Sequence, residues 1–319
     1  MGPAALPTWE VMDPRSPRAH LADMQSSLEL FRAAPVQHLD LGTTNMAYRV
    51  FGTGPALVMV HGWPLSGVTF RDLIPELQKS YTCYVPDLPG AGDTAWDPTV
   101  RDLFFDGGRR IGEFVDRLGL ERFAMMGFDS GAAIARIAAS ERPGRVFALV
   151  MTNTEIPGHV PGLVKLLQRA ASLPGAKTVF GSLLRSRMFL RSRFGFAGTV
   201  SDLAYLDGDF KDATLAGLQR DPTGALLSLR NADLNVSDHL DQVHAKIDAP
   251  LLCVWGDRCG FFPVQGAQKM VENWRGEAQL EVVPGQKLLV HEESPDAVLR
   301  AMIPFLRAHA PVHRVAASG

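Results

Sequence analysis

The order of patterns along this chain predicts an α/β fold on a doubly wound, mostly parallel sheet. Three observations predict it. Short, continuous apolar runs alternate with longer helical periodicities. Those runs have the length of strands buried on both faces, which carry no polar alternation. One stretch, residues 156–235, breaks the rhythm with helical patterns and no convincing strand. Strand and helix in alternation place helices on both faces of the sheet, with right-handed crossovers.

The elements follow in order. Residues 1–35 read as a preface with one weak helical segment near Leu28 and Phe31. Residues 36–41 and 46–51 alternate in polarity and suit an antiparallel edge pair joined through Gly42-Thr43-Thr44-Asn45. Buried strands are expected at 56–60, 82–85, 123–126, 147–152 and 251–255, with a last strand at 280–283. That makes eight in all. Helices are expected at 70–78, 101–118, 132–141, 239–247, 264–274 and 295–309. Within 156–235 the helical stretches are 163–171, 178–189, 200–206 and 213–218. We read 156–235 as a helical cap over the carboxyl ends of the strands, where open α/β sheets bind ligands. The core then comprises 36–155 and 236–310, followed by a tail at 311–319.

Composition excludes some functions. The formal net charge of −2 leaves no footprint for nucleic acid or an anionic membrane. Cys83, Cys253 and Cys259 form no CxxC or metal-ligand spacing, and two of them sit in expected core strands. This fits a reducing compartment and a cytoplasmic location. The first residues lack a charged region followed by an apolar run, so no signal peptide is expected, and Leu6 breaks the myristoylation pattern. No apolar stretch approaches the ~20 residues of a membrane helix. A small-molecule substrate is the expected partner. A homodimer stays open; nucleic acid, membrane, metal and cofactor are not expected.

The chemistry centres on Met125-Met126-Gly127-Phe128-Asp129-Ser130-Gly131-Ala132-Ala133. Glycines two before and two after Asp129, between an apolar run and an Ala-rich helix, are the layout of a nucleophile elbow. This strained strand-to-helix turn thrusts one side chain out. The thrust residue is Asp129, and a carboxylate nucleophile suits carbon bearing a leaving group. Two further signatures precede it: His61-Gly62-Trp63-Pro64 after one buried strand, and Asp87-Leu88-Pro89-Gly90-Ala91-Gly92-Asp93 after the next.

In this order the three signatures resemble the α/β-hydrolase superfamily over roughly 36–310. The resemblance is to its aspartate-nucleophile branch of epoxide hydrolases and haloalkane and haloacid dehalogenases. It implies that the backbone amides of Trp63 and Ser130 form an anion hole, and that the Trp63 indole and His61 face the pocket or its loop. It also exposes departures. The branch's acid is expected in Trp255-Gly256-Asp257-Arg258-Cys259-Gly260-Phe261-Phe262-Pro263, where Cys259 occupies its position and Asp257 comes two residues early. The branch's histidine is expected four residues before Glu292-Glu293, where Leu288 stands. His291, one residue before the glutamates, falls where the branch often carries a second, non-catalytic histidine. Epoxide hydrolases commonly use two cap tyrosines, but this cap has only Tyr205, followed by Asp207 and Asp209.

Leucine cannot activate water, and losing a general base costs about 10²–10⁴-fold in rate. An alkyl ester on Asp129 would therefore stall. An enclosed Asp129 could instead act as an acid or base in ring opening, cyclisation, elimination or isomerisation of a largely apolar substrate. The alternatives are displaced partners for hydrolysis, with Glu155 as acid and His291 or His159 as base, or a ligand-binding pseudo-hydrolase. Tyr205, Cys259 and Leu288 are expected to line the substrate pocket with Trp63 and His61. Arg136, on the helix after the elbow, reads as structural or superficial.

Overall fold

An eight-stranded sheet organises the structure, a computed structural model that describes residues 27–208 and 210–311. The first 26 residues of the expected preface, the expected tail from residue 312, and Asp209 lie outside the described residues. The strands are β1 (Gln37–Asp40), β2 (Asn45–Phe51), β3 (Ala56–Val60), β4 (Thr82–Pro86), β5 (Phe123–Phe128), β6 (Val146–Thr152), β7 (Leu251–Gly256) and β8 (Ala278–Val283). Their order across the sheet is β1-β2-β4-β3-β5-β6-β7-β8. The β1–β2 and β2–β4 pairs are antiparallel; every other pair is parallel.

Period-two geometry divides the core residues between the two faces. Along β5, Ala124, Met126 and Phe128 join one buried cluster, while Phe123 and Met125 join the other. Helix Ser130–Ser140 packs on the second face, and helix Pro295–His309 on the first. Because both faces are covered, β3, β5, β6 and β7 carry no polar alternation.

Helix boundaries shift for local reasons. The helix expected from 101 begins at Phe105. The carboxylate of Asp102 accepts the Phe105 amide, and that of Asp106 accepts the amides of Arg101 and Asp102, which holds the preceding turn open. The helix expected at 70–78 divides into a 3₁₀ turn, Gly67–Phe70, and a short helix, Ile74–Leu77. Between β6 and β7 come helices Gly162–Ala171, Ala176–Arg185, Arg187–Leu190, Ala216–Arg220 and Thr223–Arg230. The expected 200–206 helix is a 3₁₀ turn, Leu203–Asp207, whose Ala204 amide bonds to the Asp202 carboxylate. Among the described residues no helix is long and apolar enough to cross a membrane.

The parallel register brings the carboxyl ends of the central strands level. Val60 pairs with Gly127, and Phe128 with Thr152. The loops after β3, β5 and β6 therefore meet at one edge of the sheet.

Candidate active site

Asp129 stands where β5 turns into helix Ser130–Ser140, with φ 48° and ψ −140°. It is the one non-glycine residue with positive φ among those described. Such a conformation costs about 1–3 kcal/mol and must be over-determined by its surroundings. The Asp129 amide donates to Asn153 O at 3.0 Å. Asp129 O accepts from the Ala132 amide at 3.0 Å and from Thr154 Oγ1 at 2.8 Å. The flanking glycines are steric requirements. A Cβ on Gly127 would lie 2.6 Å from Ala132 Cα, and one on Gly131 would run into the carbonyl oxygens of Val60 and His61. Gly62 has the same reason: its Cβ would lie 2.6 Å from that of Asp129.

Two backbone amides, those of Ser130 and Trp63, favour the charged form of the Asp129 carboxylate. Ser130 Oγ donates to Asp129 Oδ2 at 3.3 Å and lies 2.9 Å from the Trp63 amide. The Trp63 indole Nε1–H donates to Ala225 O at 2.7 Å, tying the loop after β3 to helix Thr223–Arg230.

Asp129 lines two spaces. A chamber of about 210 Å³ is lined by Trp63, Pro64, Asp129 and Leu288, together with apolar side chains of residues 163–196. An annexe of about 60 Å³ holds Asp129, Ser130, Glu155, His159 and Phe262. A larger cleft of about 730 Å³ runs between the turn at 87–96 and residues 212–228; it includes His61 and Ser130 but not Asp129. The largest of these spaces is therefore not the one that holds the elbow residue.

Glu155 follows β6 and comes to Asp129, as the sequence suggested it could. Its Oε2 lies 2.8 Å from Thr154 Oγ1. Behind it lies Arg136, fully buried, whose guanidinium donates to Glu155 O at 2.8 Å and to Thr154 Oγ1 at 3.0 Å. Arg136 is thus no surface residue; a third contact, 3.0 Å to His244 Nε2, completes its cage. Burial lowers its pKa to about 10. Burial raises Asp129 well above the usual carboxylate range, and the Glu155 charge raises it further; the surrounding donors oppose both. Burial also raises Glu155, with Arg136 and Thr154 opposing. In one enclosed site, charge on either carboxyl disfavours charge on the other.

The other expected site residues divide. Leu288 lines the chamber with Asp129. Cys259 is buried beside the site without lining either space, and its Sγ accepts the Phe262 amide at 3.4 Å. His61 Nε2 accepts the Leu88 amide at 2.9 Å, which leaves the proton on Nδ1 facing Gly62 O at 3.2 Å. Burial pulls its pKa down to about 4, so it holds two loops together as a neutral ring.

The structure does not bring His291 to the chamber. Its ring packs against Phe128 at 4.3 Å between centroids with the planes tilted by 40°, and Nε2 lies 2.8 Å from Thr69 Oγ1 in a buried cluster. Tyr205 is drawn to the same cluster. Its hydroxyl donates to Glu292 Oε2 at 2.5 Å and accepts from Arg71 at 2.8 Å. The buried Arg71–Glu292 ion pair, 2.9 Å long, claims the donor that the sequence assigned to substrate.

Residues 55–295 match the family described as alpha/beta hydrolase fold. The chain belongs to this family. Haloalkane dehalogenase 2 of Mycobacterium bovis (strain ATCC BAA-935 / AF2122/97) is 27% identical over 259 residues, 79% of this chain and 88% of that protein. The soluble epoxide hydrolase of Corynebacterium sp. (strain C12) is 32% identical over 123 residues, 38% of this chain and 40% of that protein. The structure of epoxide hydrolase CorEH without ligand matches with a TM-score of 0.70 and 20% identity, covering 86% of this chain and 99% of that one, and so shares the fold. The protein is an enzyme of the α/β-hydrolase fold, related to dehalogenases and epoxide hydrolases.

Sequence reasoning gave no site role to Asn153, Thr154 or Arg136. The polar run Thr152-Asn153-Thr154-Glu155 at the end of an apolar strand was a usable signal. So was one arginine in the otherwise small and apolar helix Gly131-Ala132-Ala133-Ile134-Ala135-Arg136-Ile137-Ala138-Ala139.

Proposed function

We propose that the enzyme transforms a small, largely apolar molecule by proton transfer through Asp129, without adding water to it. The observation that carries this reading is the make-up of the chamber wall. Leu288 lines it with Asp129 where a water-activating histidine would be needed, while the titratable group whose charge bears on Asp129 is Glu155. A carboxyl pair sharing a proton supplies one acid and one base at the same place. Asp129 would pass a proton to or from substrate, and Glu155 would take up the change of charge with Arg136 behind it. The amides of Ser130 and Trp63 would steady negative charge on Asp129 as it forms. Such a site serves ring opening by an internal nucleophile, cyclisation, elimination or isomerisation.

A specific observation supports a second, hydrolytic reading. His159 lines the annexe with Asp129 and Glu155, and its Nε2 lies 2.8 Å from Phe261 O. A carbonyl can only accept, so Nε2 carries the proton and Nδ1 is the basic atom. His159 would then activate water against an ester on Asp129. Product mass separates the readings across a panel of apolar epoxides, haloalkanes and unsaturated alcohols. The proton-transfer reading expects products isomeric with substrate, or lacking an eliminated small molecule, and their loss in Asp129→Asn. Hydrated products that vanish in His159→Ala would replace it with the hydrolytic one.

A further inference from the structure

We propose that residues 162–196 dock the enzyme on an anionic lipid bilayer, with the mouth of the Asp129 chamber facing the membrane. The exposed large apolar side chains of the described residues concentrate here: Leu166, Leu173, Val179, Leu183, Met188 and Phe194. Only Val36 and Phe105 lie elsewhere. Met188 is 85% exposed and Val179 59%, which folding alone does not reward. Val179, Leu183 and Phe194 also line the chamber that contains Asp129. The surface patch and the chamber wall are therefore continuous, and an apolar molecule could pass from one to the other without crossing water.

Charge selects the occupant. Between Glu155 and Asp202 the chain carries seven Lys and Arg residues and no Asp or Glu, within a protein of formal net charge −2. Six of them, Lys165, Arg169, Lys177, Arg185, Arg187 and Arg193, are exposed. Asp207 pairs with Arg187 and Arg191, at 2.9 Å and 2.6 Å, and Asp221 lies 4.0 Å from Lys177. Lys165, Arg169, Arg185 and Arg193 have no ion pair among the described residues. Helix Ala176–Arg185 shows the pattern in miniature. Ala176, Val179, Phe180, Leu183 and Leu184 recur at helical spacing along the chamber, flanked by Lys177 and Arg185. Basic amphipathic helices with exposed apolar side chains lie in the headgroup region of anionic membranes. A second copy fits poorly, because two-fold pairing would set this cationic face against itself. The whole-chain charge, which pointed away from membranes, averages out this local excess.

The inference stands whichever reaction Asp129 performs. The full chain should float with phosphatidylcholine vesicles containing phosphatidylglycerol, float far less with phosphatidylcholine alone, and release in high salt. Lys165→Glu/Arg169→Glu/Lys177→Glu should weaken binding by ~10²-fold with an unchanged circular dichroism melt. Met188→Asp should weaken it independently by ~10-fold. No flotation with the mixed vesicles, equal flotation with both, or undiminished binding by the triple variant would overturn the proposal. So would dimerisation that Met188→Asp abolishes in a chain that ignores vesicles, and that result would assign the face to a second copy.

Discussion

Asp129→Asn should make the protein more stable and less active, and the gain should depend on pH in a definite direction. The carboxamide would keep an oxygen for the amides of Ser130 and Trp63 and remove the charge that burial and Glu155 disfavour. Each unit by which the fold raises a carboxyl pKa costs about 1.4 kcal/mol when that group is ionised. Burial and Glu155 raise Asp129 to about 8, which would cost about 6 kcal/mol on full ionisation; solvent in the cavity screens this, and we halve it to about 3 kcal/mol. The carboxamide replaces one acceptor oxygen with an NH2 group that cannot take the Ser130 hydroxyl, which returns about 1–2 kcal/mol of that. A net gain of about 1–2 kcal/mol corresponds to a rise of about 2–5 °C in Tm. The sign with pH follows. Below the unfolded-state pKa of about 4 the carboxyl is protonated in both states and imposes no penalty. As pH rises, the unfolded chain loses its proton first, and the penalty on the wild type grows until pH passes the raised folded value. Calorimetry should therefore find little difference near pH 4 and a gain that grows through pH 7 and levels off above about 8, while turnover falls at least ~10²-fold. A variant less stable at neutral pH, or a gain independent of pH, would refute the buried-carboxyl reasoning.

Glu155→Gln removes the charge that raises Asp129, so any rate limb set by Asp129 should move to lower pH, with turnover reduced by ~10²-fold; a pH–rate profile checks both. Tyr205→Phe deletes one hydrogen bond to Glu292 and one from Arg71 but leaves their 2.9 Å ion pair, so it should cost about 1.5–3 kcal/mol. Calorimetry should show Tm falling by about 3–8 °C with product identity unchanged.

Backbone demands were the most legible part of the sequence. The glycines at 62, 127 and 131 permit only close backbone contacts, so the elbow could be placed to the residue. Unbroken apolar runs announced strands covered on both faces, and residues 55–295 match the family those signatures suggested. Side-chain partnerships were less legible, because they depend on residues distant in the chain. Tyr205 looked available until Arg71 and Glu292 claimed its hydroxyl across 134 and 87 positions. His291 had the right chemistry, but Thr69 and Phe128 hold it elsewhere. Arg136 was read from its helix alone, and its partners Thr154, Glu155 and His244 come from other elements. Leu288 lines the chamber, and the glutamates that follow it fix its register in the sequence.

Turnover in heavy-oxygen water, with mass spectrometry of product and of the Asp129 peptide, tests the central claim most directly. Proton transfer through Asp129 forms no ester, so neither product nor Asp129 should gain label over many turnovers. Label accumulating in the Asp129 carboxyl would mean that an ester forms and is hydrolysed there, and it would contradict the account.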